Sequence, residues 1–193
     1  MLAAVASVDR AAFLDPEAAE RADEDEALPI AEGQTTSQPL VIAVMAAALG
    51  LRATDRVLEV GAGSGYAAAV LGRLAGEVHS IEIRPALAQR ARANLGRAGA
   101  ANVHVHEADG TAGWPEAAPY DAISVAAGAP TVPSALLAQL APGGRLVMPV
   151  GSQAEGQRLT LVRRTTDHRF VAEDLRMPVR FVPLVVSPPG GDV

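Results

Sequence analysis

Two carboxylates and three alternating glycines hold the clearest chemistry in this chain. Glu59 lies in an apolar run, Val57-Leu58-Glu59-Val60, that passes directly into Gly61-Ala62-Gly63-Ser64-Gly65-Tyr66. Glycine reaches positive φ and carries no Cβ, so such a turn leaves main-chain N–H groups bare. The helix expected from Gly65 onward points its positive end at the same place. A nucleotide-like ligand is the first expectation. About twenty residues beyond the turn, Glu82 ends a second apolar run, where a carboxylate accepts hydrogen bonds from two ribose hydroxyls in sheets of this kind. Helix capping is the plain alternative for Glu82.

The dinucleotide fingerprint requires Gly or Ala where Tyr66 stands, and here the third glycine falls one place early, at Gly65. Glu59 would repel a pyrophosphate but suits a sulfonium and an amino group. The pattern Glu-x-Gly-x-Gly-x-Gly therefore resembles the first motif of the S-adenosylmethionine-dependent methyltransferases. Its expected cofactor contacts are Glu59, Gly61, Gly63, Ser64, Gly65 and Glu82. A third strand ends at Asp109-Gly110, whose carboxylate would accept from an adenine amino group while Gly110 admits the ring edge. An ordinary Asp-Gly turn is the competing reading.

These residues need a scaffold, and the rest of the chain supplies its pattern. Apolar runs at 56–60, 78–83, 103–107, 122–126 and 145–149 read as strands, and 65–74, 85–98 and 133–140 read as helices between them. Such alternation implies an α/β, Rossmann-like fold with a mostly parallel, doubly wound sheet. Segments 158–164 and 170–182 read as strands with no helix between them, hence an antiparallel C-terminal edge. Ahead of the sheet, residues 28–39 are polar and turn-forming, and a helix runs on to about Leu49. Ser37 or Gln38 is placed to cap that helix, with Pro39 in its first turn. Residues 1–8 read as a short helix, and the acidic cluster 20–26 as a solvated loop.

Composition bounds the function. The 193 residues are 49% hydrophobic and 20% charged, which suits one globular domain. All 16 basic residues are Arg and the net charge is −6, so no broad cationic surface offers itself to nucleic acid. The absence of cysteine excludes disulfides, thiolate nucleophiles and Cys-based zinc sites, and fits a reducing cytoplasm. The apolar run beginning at Leu40 is far short of the roughly twenty residues a membrane helix needs, so no membrane partner is expected. His79, His104, His106 and His168 lack ligand spacing; His104 and His106 alternate on one strand face and read as a surface pair, so no metal is expected. The exit of the fourth strand, residues 126–130, has neither the Asn/Asp-Pro-Pro-Tyr/Phe segment of base amino-methylation nor a cysteine for cytosine C5 chemistry.

Four segments carry a narrower resemblance. Glu26-Ala27-Leu28-Pro29-Ile30 with Gly33-Gln34-Thr35-Thr36-Ser37-Gln38-Pro39, the glycine motif to Val70, Asp109-Gly110 with Gly113-Trp114-Pro115, and Pro178-Val179-Arg180-Phe181-Val182-Pro183-Leu184 are similar to segments of the protein-L-isoaspartate O-methyltransferases. The match covers about residues 25–184. It departs from that family at Ala31-Glu32, where Gly-His is usual, and at Thr36, where Ile is usual. The resemblance implies methyl transfer from S-adenosylmethionine to the carboxylate of L-isoaspartyl residues in proteins or peptides. The ester then closes to a succinimide and reopens partly as normal Asp. It also implies that Ser37 is the active-site residue, with Gln34, Thr35 and Thr36 lining the acceptor pocket and Arg180 and Val182 gripping the peptide. Helix capping remains the plain role for Ser37.

On this reading residues 1–193 form one methyltransferase domain. It comprises an N-terminal helical and substrate-loop segment (1–38), a cofactor-binding core (39–151), C-terminal strands (152–185) and a tail (186–193). A cytoplasmic monomer is expected. Two rival functions stay open: a dedicated Asp carboxyl methyltransferase acting on one partner peptide, and a non-catalytic cofactor-binding domain.

Overall fold

Short apolar strands separated by helices assemble into one mixed sheet in the computed structural model, which describes residues 2–186. Helices α1 (Leu2–Ala6) and α2 (Pro16–Ala19) precede a small antiparallel hairpin of β1 (Leu28–Pro29) and β2 (Thr35–Thr36). Then come α3 (Pro39–Leu49), β3 (Arg56–Val60), α4 (Tyr66–Gly72), β4 (Glu77–Glu82), α5 (Pro85–Arg97) and β5 (Val103–Glu107). β6 (Tyr120–Val125), α6 (Ser134–Ala138), β7 (Leu140–Ser152), β8 (Gly156–Arg164) and β9 (Phe170–Val179) complete the order. The sheet runs β5-β4-β3-β6-β7-β8-β9, parallel from β5 to β7 and antiparallel across β8 and β9. The strand order reverses between β3 and β6, which places the ligand crevice beyond the carboxyl ends of those two strands.

Strand alternation sorts the two faces. Val57, Val78, Ala122 and Val147 pack on Val41, Met45 and Leu49 of α3, while Leu58, Ile81, Ile123 and Leu146 pack with Leu136 and Leu140 on the other side. Helix α3 is apolar all round because Ile42, on its far side, is covered by Ala4, Val8 and Phe13. Among the described residues no helix is long and apolar enough to cross a membrane.

The parallel strands lie within about two residues of the sequence expectation, the usual uncertainty of element ends. Larger differences occur where the chain leaves the parallel pattern. The expected strand 170–182 stops at Val179, and residues 180–184 cross instead to the loop after β6, bridging Pro183 to Gly128. β7 is much longer than 145–149, because its ladder with β8 continues to Ser152↔Gly156 and its pairing with β6 reaches back to Leu140. The helix expected at 133–140 is correspondingly reduced to Ser134–Ala138. The tail expected over 186–193 lies, apart from Val186, outside the described residues.

Candidate active site

The glycine turn is a backbone device fixed from below. Gly61 N and Ala62 N donate to Ile81 O at 2.8 and 3.0 Å, and Gly63 N donates to Glu82 Oε2 at 2.9 Å. Gly61, Gly63 and Gly65 hold φ of 96°, 53° and 89°, where a side chain is strained. Gly65 is also pressed on α5: a Cβ there would stand 3.2 Å from Leu95 Cγ. Asn94 of α5 donates from Nδ2 to Ser64 O at 2.8 Å, clamping the turn. Nothing in the sequence singled out Asn94, whose signal was only a polar residue on an otherwise buried helix face. Glu82 is buried, accepts also from Arg84 N at 3.1 Å, and lines the cleft with acceptor capacity left on each oxygen.

Glu59 occupies a different place from the one expected. It is 1% exposed and is not among the residues lining the cleft, so it supports the turn from beneath. The register sets it between Ser80 and Ser124. Its Oε2 accepts the Ser80 hydroxyl, and its Oε1 is buried with no partner. Burial pushes the Glu59 carboxyl up to about 8, with the Ser80 hydrogen bond opposing and the nearby Glu82 charge adding to the rise.

A cleft of about 780 Å³ runs from this turn to the segment before α3, within the range typical of small-molecule sites. Gln34, Thr35, Thr36 and Ser37 form one wall, Gly61, Gly63, Ser64 and Glu82 the floor, and Arg180 and Val182 the opposite wall. The hairpin β1–β2 roofs it: a Cβ on Gly63 would lie 3.3 Å from Ile30 Cδ1. Ser37 does not cap α3. Gln38 occupies the cap position without a side-chain cap bond, and the Asp25 carboxylate accepts from Leu40 N at 2.8 Å and Gln38 Nε2 at 2.9 Å. The acidic cluster is therefore more than a solvated loop. Ser37 Oγ makes no hydrogen bond among the described residues, which leaves it available to a ligand.

The wall carrying Arg180 is held by Gln157, 3% exposed, whose Oε1 accepts from Phe181 N at 2.7 Å. Gly128 stitches the same segment to the sheet through Gly128 N to Val182 O and Leu184 N to Gly128 O, each 2.8 Å. Asp109 and Gly110 are not among the lining residues. Asp109 Oδ1 accepts from Thr111 N at 2.8 Å and Thr111 Oγ1 at 2.7 Å, and a Cβ on Gly110 would collide with Val60 Cγ1. Gly110 is thus required by packing against Val60. His104 and His106 are also more than a surface pair. His106 stacks on Trp114 at 4.1 Å and lies 3.0 Å from His79 Nδ1, and His79 also meets His104 at 5.4 Å between ring centroids, so the three imidazoles form one cluster on β4 and β5. Among the described residues no three His, Cys, Asp or Glu side chains gather as metal ligands.

The family model for Protein-L-isoaspartate(D-aspartate) O-methyltransferase (PCMT) matches residues 1–188. A protein-L-isoaspartate O-methyltransferase of Anaeromyxobacter dehalogenans (strain 2CP-C) is 57% identical over 190 residues, 98% of this chain and 90% of its own. A solved protein-L-isoaspartate O-methyltransferase has a TM-score of 0.82 at 32% identity; the match covers 93% of this chain, which spans only 60% of that one. A Plasmodium falciparum structure in complex with S-adenosyl-L-homocysteine shares the fold at TM-score 0.81 and 24% identity, covering 95% of this chain and 88% of that one. Matched along nearly its whole length by the family model and by relatives more than half identical, the chain belongs to the protein-L-isoaspartate(D-aspartate) O-methyltransferase family.

Proposed function

We propose that this protein transfers a methyl group from S-adenosylmethionine to the free carboxylate of L-isoaspartyl residues in damaged proteins and peptides. The supporting observation is the Ser37 hydroxyl, uncommitted to any described residue, in the same cleft as the glycine turn and Glu82. The donor set suits the cofactor: a turn with glycine at three alternate positions, a buried carboxylate in the floor for ribose hydroxyls, and a roof from the hairpin. When bound, S-adenosylmethionine supplies a methyl group on a positively charged sulfur, and an ionised carboxylate attacks it without a general base.

The residues then have separable tasks. Gly61, Gly63 and Ser64 would hold the donor's chain, and Glu82 its ribose. Glu59 and Gly65 would fix the shape of the turn, and Asp109 with Gly110 would set the loop at its edge. Ser37 Oγ would donate one hydrogen bond to the acceptor carboxylate, orienting an oxygen without protonating it. Gln34, Thr35 and Thr36 would exclude water, and Arg180 and Val182 would seat the peptide. We read residues 1–193 as one such domain, monomeric and cytoplasmic, with isoaspartyl proteins rather than nucleic acid or membrane as partners. The lack of cysteine and the net charge of −6 support that setting.

The test uses labelled S-adenosylmethionine with matched isoaspartyl and aspartyl peptides. Base-labile methyl ester is expected on the isoaspartyl peptide alone. Equal labelling of both peptides would point to a general Asp methyltransferase, and cofactor binding with no transfer to either would leave a binding domain.

A further inference from the structure

Arg10 is the one buried arginine of the N-terminal segment, at 5% exposed, and among the described residues no acidic side chain forms an ion pair with it. Its guanidinium is spent on main-chain carbonyls. Nη1 donates to Glu24 O at 2.9 Å and Ala22 O at 3.3 Å, and Nη2 donates to Glu26 O at 2.7 Å and Ser37 O at 3.3 Å. The same group lies 5.8 Å from the ring centroid of Tyr66, the first residue of α4. One planar cation therefore touches the acidic loop, the main chain of Ser37 and the helix that begins at the glycine turn. Glu24 O and Glu26 O flank Asp25, whose carboxylate holds Gln38 and Leu40. Ser37 is thus fixed from both sides, directly through its carbonyl and indirectly through the loop that caps α3.

We propose that Arg10 is a positioning residue for methyl transfer, setting the distance and orientation of Ser37 relative to the glycine turn. This rests on the Ser37 role given above. A lysine is a point charge on a flexible stem and cannot reproduce the forked, four-acceptor geometry. A misplacement of about 1 Å at a reacting group costs on the order of 100-fold in rate, so the role belongs in turnover more than in binding.

The experiment is a double-mutant cycle on the full chain with Arg10→Met, Ser37→Ala and the double variant. It measures kcat and KM for an isoaspartyl peptide, and calorimetric affinity for S-adenosylhomocysteine. If Arg10 acts through Ser37, Arg10→Met lowers kcat about 30-fold or more, and the double variant is no slower than Ser37→Ala within about threefold. S-adenosylhomocysteine affinity should stay within about threefold of the parent, which also reports an intact fold. Multiplying losses in the double variant, or a loss confined to cofactor affinity, would overturn the proposal while leaving the Ser37 role standing. Undiminished kcat in Ser37→Ala would overturn both. Where Ser37→Ala has no measurable turnover, the cycle is run on Ser37→Thr. Where Arg10→Met fails to fold, Arg10→Lys replaces it, and wild-type kcat in that variant counts against the proposal.

Discussion

Glu59 shows how a residue chosen for chemistry can serve structure first. Its type and place before Gly61 match a cofactor-contacting acid, yet the sheet register buries it between two serines, with one oxygen satisfied and the other bare. Burial raises its folded-state pKa to about 8, from the ordinary 4.5 that the unfolded chain would show. Below pH 4.5 both states hold the proton and the group is neutral toward folding. As pH rises from 4.5 through about 8, the unfolded chain releases the proton first, so stability falls, by about 1.4 kcal/mol per pH unit at most, and the loss is complete above the folded pKa. Glu59→Gln removes that term. Urea unfolding between pH 5 and 8 should find the variant gaining on the parent steadily as pH rises; parallel curves would mean that Glu59 is not the proton carrier. Burial depresses the pKa of His79 and His106, which act in the same window with opposite sign, but they are common to both proteins and cancel in the difference.

At the scale of elements, the parallel strands and their helices were legible because each is an apolar run bounded by glycine, proline or charge. What could not be read was pairing at a distance. Nothing local marks Leu140 as part of β7, since its place depends on Tyr120 of the neighbouring strand, and nothing marks Val179 as a strand end, since residues 180–184 are drawn off by Gln157 and Gly128. The site divides likewise: Glu82 and the glycines declared themselves by spacing and Ser37 only through the family resemblance, whereas Arg10, Asp25, Asn94 and Gln157 act from afar through single side chains. Asp25 offers the cleanest test of such an effect. Its carboxylate is the α3 cap that Ser37 and Gln38 do not provide, so Asp25→Ala should cost about 1 kcal/mol in denaturant unfolding. Asp25→Asn, which keeps an acceptor oxygen, should recover most of that loss. Equal stability of Asp25→Ala and the parent would show that the cap contributes nothing.

The molecule as a whole is acidic, and it must admit a substrate whose reacting group is an anion. With a net charge of −6 the far field opposes a carboxylate, so attraction has to come from cations at the cleft itself. Two of them line it. Arg84 is partly neutralised by Glu32 at 3.7 Å, while Arg180 is exposed and has no ion pair among the described residues. Arg180 is therefore the local counter-field to the acidic surface, and its effect belongs to the encounter rather than to chemistry at the methyl group. Arg180→Gln should lower kcat/KM for an isoaspartyl peptide about three- to tenfold at low salt, mostly through KM, with kcat nearly unchanged. Raising ionic strength from about 0.02 to 0.2 M shortens the screening length from roughly 20 to 7 Å, so the parent should lose kcat/KM over that range and Arg180→Gln should lose distinctly less. The same salt slope in both proteins would place the steering charge elsewhere. A parent indifferent to salt would show that no net electrostatic attraction draws the acceptor into the cleft.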